Sequence, residues 1–226
     1  MQDKQRPPLP HILYKYRNLE NPYHLQILQK QEIFLTSCAH FNDPFDCKIP
    51  FNMLEMIDNE SKQRDFLRIL INTYEKDCCN IEERITQMLS KKKELLNDKN
   101  FLLKSQEAQL DKLKNTYGLF CVSQDPDNLL LWSHYGNSHT GICIGFDSKF
   151  LYDTGKFTSV GPITYYIDYP VISPLDESEN CYYYQIYSKS LHWAYEREFR
   201  YVKKRSVDTI IKFPVEAIKE IYMGCM

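Results

Sequence analysis

The sequence predicts an α+β fold in which one sheet-rich body is interrupted by a helical insertion. Three observations lead there. Strand-like apolar runs occur near both ends of the chain. Between about 53 and 115 glycine and proline vanish and apolar residues recur at helical spacing. Tyrosine, at 17 residues, is used more heavily than a simple helical bundle needs.

The elements follow in order. Residues 1–10 are polar and proline-rich, as in an irregular arm. In His11–Arg17 the residues alternate, with Ile12, Tyr14 and Tyr16 on one face and Leu13, Lys15 and Arg17 on the other, the pattern of a strand. Asn21 can cap a short helix that has Pro22 at its first position. A second strand is expected at Glu32–Thr36, followed by a turn built on Asn42, Asp43 and Pro44 and pinned by Phe41 and Phe45.

The interval 53–115 reads as two or three helices forming an inserted hairpin or arm, within a domain made of 1–52 and 116–226. Its Lys91-Lys92-Lys93 run reads as a solvated helix face rather than a nucleic-acid contact. Beyond it, Tyr117–Ser123 reads as a buried strand. A helix started by Asp125 or Asp127 should run through Tyr135 to a stop at Gly136, and Gly141–Asp147 reads as a central strand. Gly141 and Gly145 imply close backbone approach. Further strands are expected at Val160–Ile167 and Thr209–Phe213, with a helix over Cys181–Leu191. The stretch Ser190–Val202 begins like a helix end and finishes as a strand that carries Glu198 and Arg200 on one face, Phe199 and Tyr201 on the other. The last strand stops abruptly, as it would if a further C-terminal segment followed.

A formal charge of −2 gives no support for wholesale binding to nucleic acid or an anionic membrane. No apolar run approaches a membrane span and no signal peptide is visible, so the expected compartment is the cytoplasm. The eight cysteines are scattered without a zinc-site spacing, and neither His134 nor His139 has a third partner at recognisable spacing, so no metal is expected.

Four ordered motifs carry a resemblance: Leu13–Arg17, Phe41–Asp46, Trp132–Gly136 with His139 and Gly141, and Trp193–Arg200. Together they resemble the bacterial family known as domain of unknown function 2971, over nearly the whole chain apart from the helical arm. That family is in turn similar, more distantly, to the ADP-ribosyltransferase fold. The resemblance implies a mixed, split sheet with flanking helices, and NAD as the substrate that serves in place of a cofactor. It also implies contacts to NAD from Lys15, Tyr16, Arg17, Asn42, Asp43, Trp132 and Tyr135. Glu198 would be the main catalytic carboxylate and Glu196 the second. The function it implies is an ADP-ribosyltransferase or NAD glycohydrolase of a bacterial toxin or defence system, with an unknown macromolecular acceptor.

The chemistry is coherent. Breaking the nicotinamide–ribose bond builds an oxocarbenium-like charge, which a nearby carboxylate stabilises more than it stabilises the ground state. In this reading Glu198, inside the alternating run, is fixed by the sheet, while Glu196 shares its face but sits at the frayed strand start. Two alternatives stay open: a non-catalytic module docking through the helical arm, and a metal-dependent nucleic-acid enzyme using Asp43, Asp46, Glu196 and Glu198.

Overall fold

The alternating run after His11 becomes the first strand of a sheet because each of its faces finds a different apolar layer. The computed structural model describes residues 8–176 and 178–225; of the arm expected at 1–10, residues 1–7 lie outside the described residues. In chain order the elements are β1 (Ile12–Arg17), α1 (Pro22–Gln29), β2 (Glu32–Ser37), α2 (Glu60–Tyr74), α3 (Ile81–Asn97), α4 (Lys99–Lys114), β3 (Tyr117–Ser123), α5 (Leu129–Tyr135) and β4 (Ile142–Asp147). They continue with α6 (Ser148–Asp153), β5 (Ser159–Pro162), β6 (Thr164–Tyr166), α7 (Ser178–Tyr187), β7 (Ser188–Ser190), β8 (Glu198–Lys204), β9 (Thr209–Lys212) and β10 (Ile218–Met223). The fold is α+β. Among the described residues no helix is long and apolar enough to cross a membrane.

Two compact units emerge. One combines the described residues up to Asp46 with Lys114–Asp168 and those from Tyr187 on; the other combines Cys47–Leu113 with Tyr169–Ile186. Helical periodicity over 53–115 marks only the first segment of the second unit. The segment holding most of α7 joins that unit through Ile49, Ile172 and Cys181, which pack together, and through the Gln185 amide, which donates to the Ile49 carbonyl at 2.7 Å. Three α-helices fill 60–114. Asn59 and Asn80 cap α2 and α3 by accepting from the Lys62 and Glu83 amides. Met56, Leu67, Ile71, Ile85, Leu89 and Leu102 form the core of this unit. No strand lies between 53 and 115, and Lys91 and Lys92 are exposed.

In the first unit the strands from both sides of the insertion pair into one eight-stranded sheet, ordered β10-β4-β1-β3-β2-β9, with β8 on β3 and β5 on β8. All of its pairings are antiparallel; parallel pairing occurs in the separate β6–β7 pair and in an isolated bridge between Phe51 and Ile172. Leu13, Ile33, Leu35, Phe120, Ile144, Phe146, Phe199 and Tyr201 form the main core. Tyr16, Leu131, Trp132 and Cys143 form a smaller one under α5.

The pairing around β3 decides where the site lies. One edge of β3 is covered by β8 along its whole length, from Tyr117 opposite Lys204 to Ser123 opposite Glu198. The other edge is shared. β1 meets it only where Tyr14 faces Ser123, and β2 only where Thr36 and Ser37 face Leu119 and Gly118. Between these points β1 and β2 diverge and leave Phe120–Val122 without a neighbour on that side, so the sheet is split.

Some expectations about local structure need correction. Asn128, not Asp125 or Asp127, caps α5, accepting from the Leu130 and Leu131 amides. Asp125 is spent on a turn in which it accepts from the Asp127 amide. The helix expected over Cys181–Leu191 ends at Tyr187 and gives way to β7. The α5 stop at Gly136 is as expected. A Cβ on Gly141 would lie 2.2 Å from the Arg17 carbonyl oxygen, which is the close approach its position implied.

Candidate functional site

The split in the sheet opens a cavity of about 410 Å³, within the range of small-molecule sites. Strand register explains its two-sided lining. Glu198 lies opposite Ser123 and Ser123 opposite Tyr14, so Glu198, Arg200, Tyr14 and Tyr16 share a face by the two-residue period, and Lys15 and Arg17 take the other. In an unbroken sheet these two sets would be separated by backbone. Here both reach one cavity.

On one wall the chain builds a buried ion cluster. Arg200, fully buried, donates from Nη1 and Nη2 to the two Asp46 carboxylate oxygens at 2.9 and 2.6 Å and from Nε to Glu198 Oε1 at 2.7 Å. Its guanidinium also lies over the Phe41 ring at 5.0 Å. Lys189 Nζ donates to Glu196 Oε2 at 2.5 Å and Glu198 Oε2 at 3.1 Å, with Asp46 Oδ2 at 3.6 Å. The Tyr135 hydroxyl donates to Glu196 Oε1 at 2.8 Å and accepts from Asn42 Nδ2 at 3.2 Å. Three carboxylates thus face two cations.

Local backbone explains how Glu196 and Glu198 come together. They do not share a strand face. Leu191–Glu196 is a 3-10 turn, Arg197 is left-handed at φ 45°, and only then does β8 begin. Nor is Glu196 frayed: its carbonyl accepts from Ser123 Oγ at 2.7 Å, and the neighbouring Tyr195 carbonyl accepts from Asn128 Nδ2 at 2.7 Å. Both carboxylates are fixed. They differ in charge compensation. Burial opposes the Glu198 charge, but Arg200 and Lys189 outweigh it and hold that carboxyl well below the usual range. Burial, followed by the Glu198 charge, moves Glu196 up despite Lys189. Burial likewise opposes the Lys189 charge, and Glu198, Glu196 and Asp46 together reverse it, so this ammonium keeps its proton.

The opposite wall is different. Lys15 Nζ donates to the Cys121 carbonyl at 2.6 Å, one of the β3 groups exposed by the split, and lies over the Phe120 ring at 5.4 Å. Burial and the neighbouring Arg17 push Lys15 down to about 8. Burial pushes Arg17 down to about 10, still charged at neutral pH, and its Nε is buried without a hydrogen-bond partner. Neither residue forms an ion pair among the described residues. His24, in the same wall, has its ring Nδ1 2.9 Å from the Asn18 carbonyl, and burial together with Arg17 lowers it, so it is neutral.

Of the residues singled out in the sequence, Lys15, Tyr16, Arg17, Asn42, Tyr135, Glu196 and Glu198 line this cavity. Asp43 and Trp132 do not. Asp43 is buried in the turn, where its Oδ1 accepts from the Phe45 amide. Trp132 donates its indole N–H to the Pro126 carbonyl and packs edge-on against Tyr16 at 5.2 Å, so it backs the wall instead of forming it. Sequence reasoning missed Lys189 as a site residue. One signal was present: two nearby glutamates that become buried need a cation, and Lys189 is the only lysine between Lys156 and Lys203. Asp46 does converge with Glu196 and Glu198, but what the three share is the Lys189 ammonium. Among the described residues no group of three or more His, Cys, Asp or Glu is placed to hold a metal.

Residues 131–201 match the model of a family described as a protein of unknown function, DUF2971. That stretch runs from α5 into β8 and contains Tyr135, Lys189, Glu196, Glu198 and Arg200, while β1 and the Phe41–Asp46 turn lie outside it. No curated protein and no solved structure matches the chain. Over residues 131–201 the chain is similar to this family of unknown function.

Proposed function

We propose that the cavity binds NAD and breaks its nicotinamide–ribose bond, passing the ADP-ribosyl group to water or to a macromolecular acceptor. The observation that carries this reading is the polarity of the cavity. One wall holds more carboxylates than cations, and the other holds two cations with no carboxylate. NAD has the matching pattern, a cationic nicotinamide ring at one end and a diphosphate further along. Arg17 takes the diphosphate, with Lys15 assisting while protonated. The rings of Tyr16 and Tyr135 supply apolar walls.

The catalytic roles exchange relative to the sequence reading. Glu198 is spent on Arg200 and Lys189, so it holds the cluster together. Glu196 carries the charge that the cluster leaves uncompensated, and it sits between Tyr135 and Lys189 in fixed geometry. Such a carboxylate stabilises a developing oxocarbenium ion and is set to accept a proton from an attacking nucleophile. Removing a preorganised group of this kind costs on the order of a hundredfold or more in rate.

Nicotinamide release from NAD, measured for wild type, Glu196→Gln and Arg17→Gln, tests the proposal. Glu196→Gln should lower kcat about a hundredfold, and Arg17→Gln should act mainly on KM. Wild type without nicotinamide release under any acceptor condition would sink it and favour the docking module.

A further inference from the structure

Two lysines line the cavity, and their surroundings could hardly differ more. Lys189 is clamped by three carboxylates and stays an ammonium. Lys15 donates to the Cys121 carbonyl, lies over the face of Phe120 and makes no ion pair among the described residues. Glu198 and Glu196 offset only part of the effect of burial and Arg17 on it, and Arg17, two residues further along the same strand face, has a buried, unpartnered Nε. A lysine that is desolvated, next to another cation and without a paired carboxylate is the arrangement that yields an amine nucleophile.

We propose that Lys15 is a covalent carbonyl-capturing residue, whose amine forms an imine with an aldehyde or ketone that carries a phosphate held by Arg17. The spacing sets the ligand. Residues i and i+2 of a strand are about 7 Å apart, so the carbonyl carbon and the phosphate must be separated by a few bonds, as in a short phosphorylated sugar or a related aldehyde. In the reaction the Lys15 nitrogen lone pair attacks the carbonyl carbon, a C–N bond forms as the C–O π bond breaks, and the oxygen takes up a proton. The nitrogen then passes a proton to that oxygen, and its lone pair forms the C=N bond as the C–O bond breaks and water leaves, giving the protonated imine. No redox partner is needed. The supply of amine is adequate: with Lys15 pushed down to about 8, about one molecule in ten carries it neutral at pH 7, against roughly one in a few thousand for an ordinary lysine. This inference goes beyond NAD cleavage and holds whether or not NAD is the substrate.

The probes are pyridoxal 5′-phosphate and pyridoxal, which share an aldehyde and differ in the phosphate. Wild type is incubated with each, reduced with borohydride, and the modified lysines are located by peptide mass spectrometry. With pyridoxal 5′-phosphate, Lys15 should be modified about tenfold or more faster than exposed lysines such as Lys91 and Lys92, and pyridoxal should lose most of that preference. Arg17→Gln should bring the two probes to the same rate at Lys15, and Lys15→Arg should leave only surface modification. Modification of Lys15 no faster than that of Lys91 and Lys92, or equal rates with both probes in wild type, overturns the proposal. Because the wild-type ratio decides on its own, a variant that fails to fold does not rescue it.

Discussion

The two walls of the cavity use the same residue types to opposite ends. On the β8 side, Asp46, Lys189, Glu196, Glu198 and Arg200 answer one another at 2.5–3.6 Å, and every buried cation there has carboxylates. On the β1 side, Lys15 and Arg17 have a carbonyl, an aromatic face and an orphaned Nε. The contrast teaches that a buried charge serves structure where its partners are supplied by the chain, and awaits a ligand where they are not.

The sharpest way to break that contrast is Arg200→Met. Among the described residues it leaves Asp46 and Glu198 buried with Lys189 as the one cation they share, and should cost about 3–5 kcal/mol of stability in denaturant unfolding. A loss below about 1 kcal/mol would mean that the cluster is not what fixes this wall.

Lys15→Met should do the reverse. In the folded protein Lys15 releases its proton from about pH 8, whereas in the unfolded chain it does so near 10.5. Between these values the unfolded state binds more protons, so wild-type stability gains from rising pH. The cost of burying this ammonium is therefore full below about pH 8 and fades towards pH 10.5. Lys15→Met should be the more stable protein at pH 7, by about 2 kcal/mol after allowing for water in the cavity, and its advantage should fade over the same window. A constant difference across pH 7–10.5 would show that Lys15 titrates normally.

The smallest effect on stability is expected from Arg17→Gln. Its guanidinium makes no ion pair among the described residues and burial opposes its charge, so the free energy of unfolding should stay level or rise, by about 1 kcal/mol or less. A loss comparable to that of Arg200→Met would place Arg17 with the structural charges and remove the basis for a ligand there.

Much of this arrangement was legible in the sequence, and where it was not the reasons are physical. Alternation gave β1 and β8, Asn21-Pro22 gave the start of α1, and the loss of glycine and proline gave the helical insertion, because each of these signals is local. The cavity residues on β1 and at Glu196–Glu198 stood out by placing charge in strand-like surroundings. The meeting of Glu196 and Glu198 was anticipated for the wrong reason, since a left-handed Arg197 carries no sequence mark of the kind a glycine would give. Lys189 carried only an indirect mark, the need of two buried glutamates for a cation, and Asp46 stood out as an acid without any sign that Arg200 and Lys189 would take it up, because those contacts are made by tertiary packing. Trp132 was expected to contact NAD, but its indole N–H found the Pro126 carbonyl and its ring found Tyr16.

Calorimetric titration with NAD and with ADP-ribose, which keeps the diphosphate but lacks the nicotinamide cation, tests the bipolar cavity most directly. Arg17→Gln should weaken both ligands about tenfold or more, as loss of a charge-assisted contact does. Glu196→Gln should weaken NAD and leave ADP-ribose unchanged. Failure of either ligand to bind wild type, or equal loss of both on Glu196→Gln, would contradict a cavity whose two walls recognise opposite charges.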